Sequence, residues 1–203
     1  MSEKKQLLCE GAELMNIALS DQQIQQLLNY VALIHKWNKV YNLSAIHDPI
    51  ESVKKHLLES LSIIHFVQPG LLLDVGSGAG LPGIVIAIMK PETEVFVLDS
   101  VGKKCRFMQA VKSELVLENL IVVNSRVESF KPSKAFSQIT SRAFAEASKT
   151  IQLTKHLLEE NGRYLLMKGS NVDSEHVENF NAKVHSMTVP FVLEKRSLLE
   201  IKL

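Results

Sequence analysis

The sequence predicts an α/β protein with a mostly parallel seven-stranded sheet, helices on both faces and a C-terminal antiparallel hairpin. Residues 71–84 have the pattern of a buried strand, a glycine-dense loop and a helix start. After residue 70, short apolar runs alternate with helix-length segments, which is typical of βαβ units. Two final apolar runs flank a charged turn from Glu194 to Arg196, and this arrangement predicts the hairpin.

The alternation after residue 70 sets the predicted order of elements. Pro82 suits the first turn of a helix, where its missing N–H has no intrahelical partner to lose. The predicted strands are Leu71–Val75, Glu94–Asp99, Leu120–Asn124, Gln138–Ser141, Arg163–Lys168, His185–Val192 and Ser197–Lys202. The predicted helices are Pro82–Met89, Gly102–Val116, Ala145–Glu159 and Asp173–Ala182.

Residues 6–66 have helical periodicity instead. Ser20 and Gln23 fit a capping box, and apolar residues recur at helical spacing from Ile24 until the helix ends near Tyr41. A second amphipathic helix is predicted from Asp48 until just before Pro69. We therefore expect a helical extension over residues 1–66 and one compact α/β domain over residues 67–203.

Composition narrows the class of protein. The 203 residues are 46% hydrophobic with a net charge of +1, and the mean hydropathy of +0.07 is that of a soluble globular protein. Cys9 and Cys105 are far apart and lack a CxxC partner, which argues against a disulfide framework or a metal site. No signal peptide and no apolar run of about 18 residues is found, so we expect a cytoplasmic protein without a membrane span. No apolar stripe demands a dimer, so a monomer is expected.

The glycine loop predicts a nucleoside site. Its pattern is Asp74-x-Gly76-x-Gly78-x-Gly80, with Leu81 where a dinucleotide fingerprint would place its last glycine. A P-loop pattern is also lacking. The loop thus suits a cofactor without a pyrophosphate, such as S-adenosylmethionine, and Asp74 would orient the loop or the amino group of the ligand. A tight strand–helix turn with no ligand is the alternative.

Asp99 ends the second predicted strand, 19 residues after Gly80. A carboxylate at this position accepts hydrogen bonds from ribose hydroxyls, which S-adenosylmethionine and nicotinamide cofactors both contain. Asp99 therefore supports a nucleoside-binding site but does not distinguish between the two cofactors. The alternative is that Asp99 is a simple helix N-cap.

Further blocks resemble the RsmG (GidB) family of bacterial small-subunit ribosomal RNA guanine-N7 methyltransferases. The resemblance runs from about residue 20 to residue 203, and its departures include Glu59 where Asp is common and Lys103-Lys104 where Lys-Arg is common. The blocks are His35-Lys-Trp-Asn-Lys-Val-Tyr-Asn-Leu-Ser44, His56-Leu-Leu-Glu-Ser60, Asp74–Gly83, Leu98-Asp-Ser100, Gly102-Lys-Lys-Cys-Arg-Phe107, Ser125-Arg-Val-Glu128 and Ser141-Arg-Ala-Phe144.

The resemblance implies a Rossmann-like class I methyltransferase sheet, S-adenosylmethionine as methyl donor and a guanine of 16S ribosomal RNA as target. It also implies that Gly76 and Leu81 hold the cofactor in the loop, that Val127 and Glu128 read its adenine, and that Arg142 contacts cofactor and target. Without the family, the alternative for Glu128 is a solvated acid at a helix start.

Methyl transfer to guanine N7 removes no proton, so the reaction does not require a general base. A pyrimidine C5 methyltransferase would need a cysteine nucleophile, but Cys105 lies in a predicted helix and reads as an ordinary semi-buried thiol. Ser141-Arg-Ala-Phe144 stands where amino-group methyltransferases have an Asn-Pro-Pro-Tyr type of block. These observations agree with N7 methylation, whereas the guanine itself rests on the resemblance.

Basic residues follow the predicted strands repeatedly, so a nearly neutral chain still has a basic rim beyond the strand ends. For each basic residue taken alone, a solvated surface charge is the alternative. His56 is either a helix-packing residue or an RNA contact, and Phe144 either stacks on a base or belongs to the core. The predicted RNA-binding residues are Lys103, Lys104, Arg106, Arg126, Lys168 and His56.

Three other functions stay open at this point. A methyltransferase acting on a small molecule or a protein would not need the basic rim. A non-catalytic RNA-binding module would not bind S-adenosylmethionine. A nicotinamide dehydrogenase is disfavoured by the loop pattern and by the terminal hairpin.

Overall fold

A computed structural model describes residues 2–169 and 181–202. Its strands are β1 (Gly70–Val75), β2 (Thr93–Asp99), β3 (Leu120–Asn124), β4 (Phe136–Arg142), β5 (Leu158–Lys168), β6 (Asn181–Met187) and β7 (Arg196–Lys202). They form one sheet in the order β3-β2-β1-β4-β5-β7-β6. Strands β1 to β5 are parallel, and β7 runs antiparallel to both β5 and β6. The predicted fold class is confirmed.

The helices connect these strands or precede them. They are α1 (Glu3–Leu14), α2 (Asp21–Tyr41), α3 (Pro49–Ser52), α4 (Glu59–Leu61), α5 (Gly83–Met89), α6 (Gly102–Leu115) and α7 (Ala147–Thr154).

The start of α2 confirms the predicted capping box. The Ser20 hydroxyl accepts from the Gln23 N–H at 3.2 Å, and the Gln23 side chain accepts from the Ser20 N–H at 2.9 Å. Both otherwise unpaired donors are thereby satisfied. The helix ends at Tyr41 as predicted, because Asn42 adopts a left-handed conformation.

The second predicted N-terminal helix is not continuous. It starts at Pro49 with Asp48 as its N-cap, as predicted, and then widens into a π-helical stretch at Val53–Leu58. The α-helical turn α4 follows, and a 3₁₀ turn, Ile64–Phe66, precedes β1. Periodicity alone does not show the extra residue per turn of a π-helix, which is often found near functional sites.

Several predicted boundaries were wrong, and the strand predicted to start at Arg163 starts at Leu158. The helix predicted to end at Glu159 ends at Thr154, because Leu158 already pairs with Phe136 of β4. The strand predicted at His185–Val192 lies at Asn181–Met187, in register with β7. Val189 lies in a loop after β6, and its side chain is buried in the core. The apolar residue at this position therefore reflects burial and not membership of a strand.

The predicted helix Asp173–Ala182 falls mainly on residues 173–180, which lie outside the described residues. Its last two residues belong to β6.

Two hydrophobic clusters cover the two faces of the sheet. One contains Leu72 of β1 together with side chains from α1, α2, α5 and α6, among them Leu27 and Phe107. The other contains the next residue of β1, Leu73, together with Ile151 of α7. Successive strand side chains point to opposite faces, so the sheet is buried on both sides.

The helical region before residue 66 shares the first cluster with the sheet, and the boundary at residue 66 stays a prediction. Within residues 2–169 and 181–202, no helix is both long and apolar enough to span a membrane.

Candidate functional site

A cavity of about 540 Å³ lies beyond the carboxyl ends of β1 to β4, and we call it the first cavity. This edge is where open α/β sheets bind ligands. The volume is within the roughly 300–1,000 Å³ of small-molecule sites. Its lining residues are Gly76, Leu98, Asp99, Ser100, Val101, Lys104, Ser125, Arg126, Val127, Glu128, Ala143, Phe144, Ala145, Lys149 and Leu153.

The glycine loop reaches the first cavity through Gly76, and its glycines have conformations that side chains disfavour. Gly76 and Gly78 have φ of +66° and +63°. A Cβ added at Gly76 would collide with the Phe144 ring, whereas one at Gly78 would meet nothing closer than 4.0 Å. Gly76 is therefore needed for packing against Phe144, and Gly78 leaves open space above the loop.

Asp74 lies beneath the loop and is fully buried. Its Oδ2 accepts the Gly83 N–H at 2.9 Å, which ties the end of β1 to the start of α5. Its Oδ1 has no hydrogen-bond partner among the described residues. Burial raises the pKa of this carboxyl to about 7, although the Gly83 N–H and Arg142 act in the opposite direction.

Asp99 organises the neighbouring part of the wall. Its carboxylate accepts from the Gly78 N–H at 3.0 Å and from the Val101 N–H at 2.8 Å. Lys104 Nζ lies 3.4 Å from the same carboxylate. Asp99 thus joins the glycine loop to the start of α6 and still lines the cavity.

Of the other residues predicted to hold the cofactor, Val127 and Glu128 line the first cavity. Val127 is buried and Glu128 is exposed. Gly80 and Leu81 are instead buried within the turn, and Gly78, Gly80 and Leu81 are not among the described lining residues.

Sequence reasoning missed several lining residues. Lys149 and Leu153 come from α7, and only the packing of that helix brings them to the cavity. Phe144 was left undecided between core and base stacking, yet it lines the cavity and limits the space at Gly76. A bulky aromatic directly after the fourth strand was the one available signal.

Arg142 faces a second cavity of about 370 Å³ and is not among the described residues lining the first. This placement does not support the predicted contact between Arg142 and the cofactor, while its contact with the target stays a prediction. The second cavity is lined by Glu59, Ser62, Ile63, Arg142, Ala143, Met167, Lys168, Gly169, Met187, Val189, Arg196 and Ser197.

The two cavities meet at Ala143, which lines both. Ala143 has a φ of +58°, so the chain turns sharply between Arg142 and Phe144. A non-glycine residue in this region is strained by about 1 kcal/mol or more, and such strain clusters at functional sites. The turn sends Arg142 to one cavity and Phe144 to the other.

Polar contacts fix Arg142 at the second cavity. Its Nη1 donates to the Lys55 carbonyl at 2.8 Å and lies 3.6 Å from Glu59 Oε2. Arg196 donates from Nε to Glu59 Oε1 at 2.8 Å. Sequence reasoning treated Glu59 as a minor departure and Arg196 as a turn charge, so it missed this cluster.

The predicted RNA-binding residues fall into different environments. Lys103, Arg106 and Arg126 are exposed. Lys104 is held by Asp99, and Lys168 Nζ donates to the Ala145 carbonyl at 3.0 Å.

His56 corrects the prediction of an RNA contact, because only 3% of it is exposed. Its Nε2 lies 3.0 Å from the Ser44 hydroxyl. Burial lowers the pKa of the ring to about 4, and the Arg142 charge adds to the effect, so His56 is neutral near pH 7. It is a packing residue.

Within residues 2–169 and 181–202, no group of His, Cys, Asp and Glu side chains could hold a metal ion.

Comparisons with known proteins converge on one description. A family profile described as GidB, rRNA small subunit methyltransferase G, matches residues 23–199. A protein named ribosomal RNA small subunit methyltransferase G from Ruthia magnifica is 55% identical over 193 residues, covering 95% of each chain. The protein of the same name from Methylobacillus flagellatus is 45% identical over 197 residues, covering 96% of each chain.

A solved structure supports the fold independently. A SAM-dependent methyltransferase from Aquifex aeolicus superposes with a TM-score of 0.61 at 15% identity, covering 80% of this chain and 97% of that one. At this level of identity the likeness concerns the fold alone.

Proposed function

The chain belongs to the rRNA small subunit methyltransferase G family, and on that premise we propose that it methylates N7 of a guanine in 16S ribosomal RNA. The observation that carries the proposal is the pair of cavities that meet at Ala143. One has the polar groups that a nucleoside cofactor needs, and the other has apolar walls and arginines at its edge. A donor and a base placed in the two cavities would meet at the shared residue.

The first cavity fits S-adenosylmethionine. Asp99 lines the cavity and offers carboxylate oxygens to ribose hydroxyls. The methionine part would lie beside Gly76, next to the open space above Gly78. Val127 and Glu128 would bind the adenine, and the buried Asp74 would hold the loop in place through the Gly83 N–H. When bound, S-adenosylmethionine supplies an electrophilic methyl group on its sulfonium sulfur.

The residues of this chain contribute positioning rather than proton transfer. Guanine N7 attacks with a neutral lone pair and loses no proton, so a general base is unnecessary. Asp99 and the loop hold the donor side, while Arg142 orients the acceptor side. Alignment of two reactants supplies a large part of the rate enhancement in such displacements.

We propose that the second cavity receives the target base. Ile63, Met167 and Val189 provide apolar walls for the faces of a planar ring. The guanidinium of Arg142 would bind O6 of the guanine or its phosphate, which leaves N7 directed toward Ala143. Arginine suits both acceptors because its donors lie in one plane.

The basic rim would bind the RNA backbone. Lys103, Arg106 and Arg126 are exposed and free to contact phosphates, and Lys104 and Lys168 add positive charge at the cavity walls. Such contacts weaken steeply as salt is added. We further propose that the protein acts as a cytoplasmic monomer, which light scattering of the purified protein tests.

The direct test incubates the purified protein with labelled S-adenosylmethionine and small-subunit RNA or subunits from cells lacking the gene. We expect one N7-methylguanine, mapped by chemical cleavage and primer extension. Asp99→Ala is the negative control, since it removes the proposed ribose acceptor. A protein that binds the donor but leaves every guanine unmethylated would refute the proposal. A protein that does not bind it at millimolar concentration would favour an RNA-binding module.

A further inference from the structure

Glu59 lies between two arginines in the wall of the second cavity. It is 6% exposed. Its Oε1 lies 2.6 Å from Arg196 Nη2, and its Oε2 lies 3.6 Å from Arg142 Nη1. Among the described residues that line this cavity, Glu59 is the only acid, whereas Arg142, Lys168 and Arg196 are basic.

The two arginines come from different strands of the sheet. Arg142 ends β4, and Arg196 begins β7 of the C-terminal hairpin. Each arginine side chain is about one-quarter exposed, so solvent screens the repulsion between the two charges only in part. A partly buried pair of cations needs an anion between them, and Glu59 supplies it.

Among residues 2–169 and 181–202, Glu59 is the one acidic side chain that contacts Arg142. The second bond of Arg142 goes to the Lys55 carbonyl, which anchors the side chain to the π-helical stretch but carries no full charge. The carboxylate of Glu59 follows that stretch directly, and the wide turns of a π-helix shift the residues after it around the helix axis. The local helix geometry and the ion pairs thus converge on the same side chain.

We propose that Glu59 is a positioning residue that holds Arg142 and Arg196 in place and so shapes the cavity for the incoming base. The inference rests on the proposed function. Glu59 itself acts through the two arginines and does not need to contact the substrate. The negative charge is the essential property, because a neutral side chain would leave the two guanidiniums to repel each other.

The test compares Glu59→Gln with Glu59→Asp and with a matched control, Glu51→Gln. Glu51 lies two helical turns earlier and pairs with Lys54 and Lys55 on the exposed side, away from both cavities. Methylation of small-subunit RNA is measured as kcat and KM, and the affinity for S-adenosylmethionine is measured by calorimetry. Thermal unfolding shows that each variant is folded.

We expect Glu59→Gln to lower kcat about 10²-fold, which is the effect of a misplacement of about 1 Å at a reacting centre. The KM for RNA should change less than about threefold, because the exposed basic rim makes most phosphate contacts. Donor affinity should be unchanged, since Glu59 is not among the described residues lining the first cavity. Glu59→Asp keeps the charge and should recover part of kcat, and Glu51→Gln should match the wild type.

The outcomes separate the inference from the proposed function. A wild-type protein that methylates no guanine refutes the function and the inference with it. An active wild type with a folded Glu59→Gln of equal kcat refutes the inference alone. Equal loss of kcat, donor affinity and thermal stability would show a general structural role and would also overturn it. If Glu59→Gln does not fold, the test rests on Glu59→Asp. The inference then requires that Glu59→Asp has a lower kcat than the wild type and the same affinity for the donor.

Discussion

Replacing Asp74 with asparagine removes a buried charge and should stabilise the protein above about pH 7. Asparagine has nearly the same shape, and its amide oxygen still accepts the Gly83 N–H that Asp74 accepts at 2.9 Å. The other carboxyl oxygen of Asp74 has no hydrogen-bond partner among the described residues. The ionised form is therefore poorly compensated, which is why burial raises the pKa of this carboxyl from 3.8 to about 7.

The magnitude follows from that shift. Raising the pKa of this carboxyl from 3.8 to about 7 corresponds to about 4 kcal/mol. Below about pH 4, Asp74 is neutral in both folded and unfolded chains. Between about pH 4 and 7 only the unfolded chain loses its proton, so the wild type loses stability by up to about 1.4 kcal/mol per pH unit. Above that range the difference levels off.

Urea denaturation of wild type and Asp74→Asn across this pH range measures the effect. The difference in unfolding free energy should grow in favour of the variant up to about pH 7 and then stay constant. Other acids titrate in both proteins and cancel in the difference. Glu94→Gln, an exposed position on β2, is the control and should stay within about 0.5 kcal/mol at every pH.

A difference for Asp74→Asn that does not change with pH would refute this account. It would mean that Arg142 and the Gly83 N–H keep the carboxylate ionised throughout, against the desolvation that burial imposes.

Three further predictions test other parts of the molecule. Gly78→Val should fold, at a cost of about 1–2 kcal/mol because residue 78 has a positive φ. It should lose methyl transfer, because the new side chain fills the space above the loop. An active variant would show that the donor lies elsewhere. Tyr30→Phe should lose about 1–3 kcal/mol in urea denaturation, because the buried Tyr30 hydroxyl donates to the Ala79 carbonyl at 2.7 Å, and unchanged stability would contradict that bond. Reversing the charges of Lys103 and Arg126 together should raise the KM for RNA and weaken the dependence of KM on salt. The affinity for the donor, measured by calorimetry, should not change. Unaltered RNA kinetics would exclude the basic rim as the phosphate contact.

Most of the fold was predictable because its signals are local. The capping box at Ser20, the strand–loop–helix pattern around Gly76 and the alternation of elements each depend on residues within a few positions of one another. Errors arose where a neighbour in space changed the local preference. Leu158 leaves the helical pattern because it pairs with Phe136, and Val189 is buried from a loop.

The site divides in the same way. Local pattern was enough to predict that Asp74, Asp99 and the glycine loop lie at the ends of two strands, since parallel strands bring their carboxyl ends to one edge. Hydrogen bonds from Gly78 and Gly83 to these acids span at most 21 residues of chain.

The acceptor side of the site could not be predicted in this way, because its contacts join distant parts of the chain. The bond between Arg196 and Glu59 joins residues 137 apart, and the one between Arg142 and the Lys55 carbonyl joins residues 87 apart. Burial likewise removed His56 from the surface that its charged neighbours suggested. Such pairings depend on the path of the whole chain and on desolvation, neither of which spacing or composition encodes.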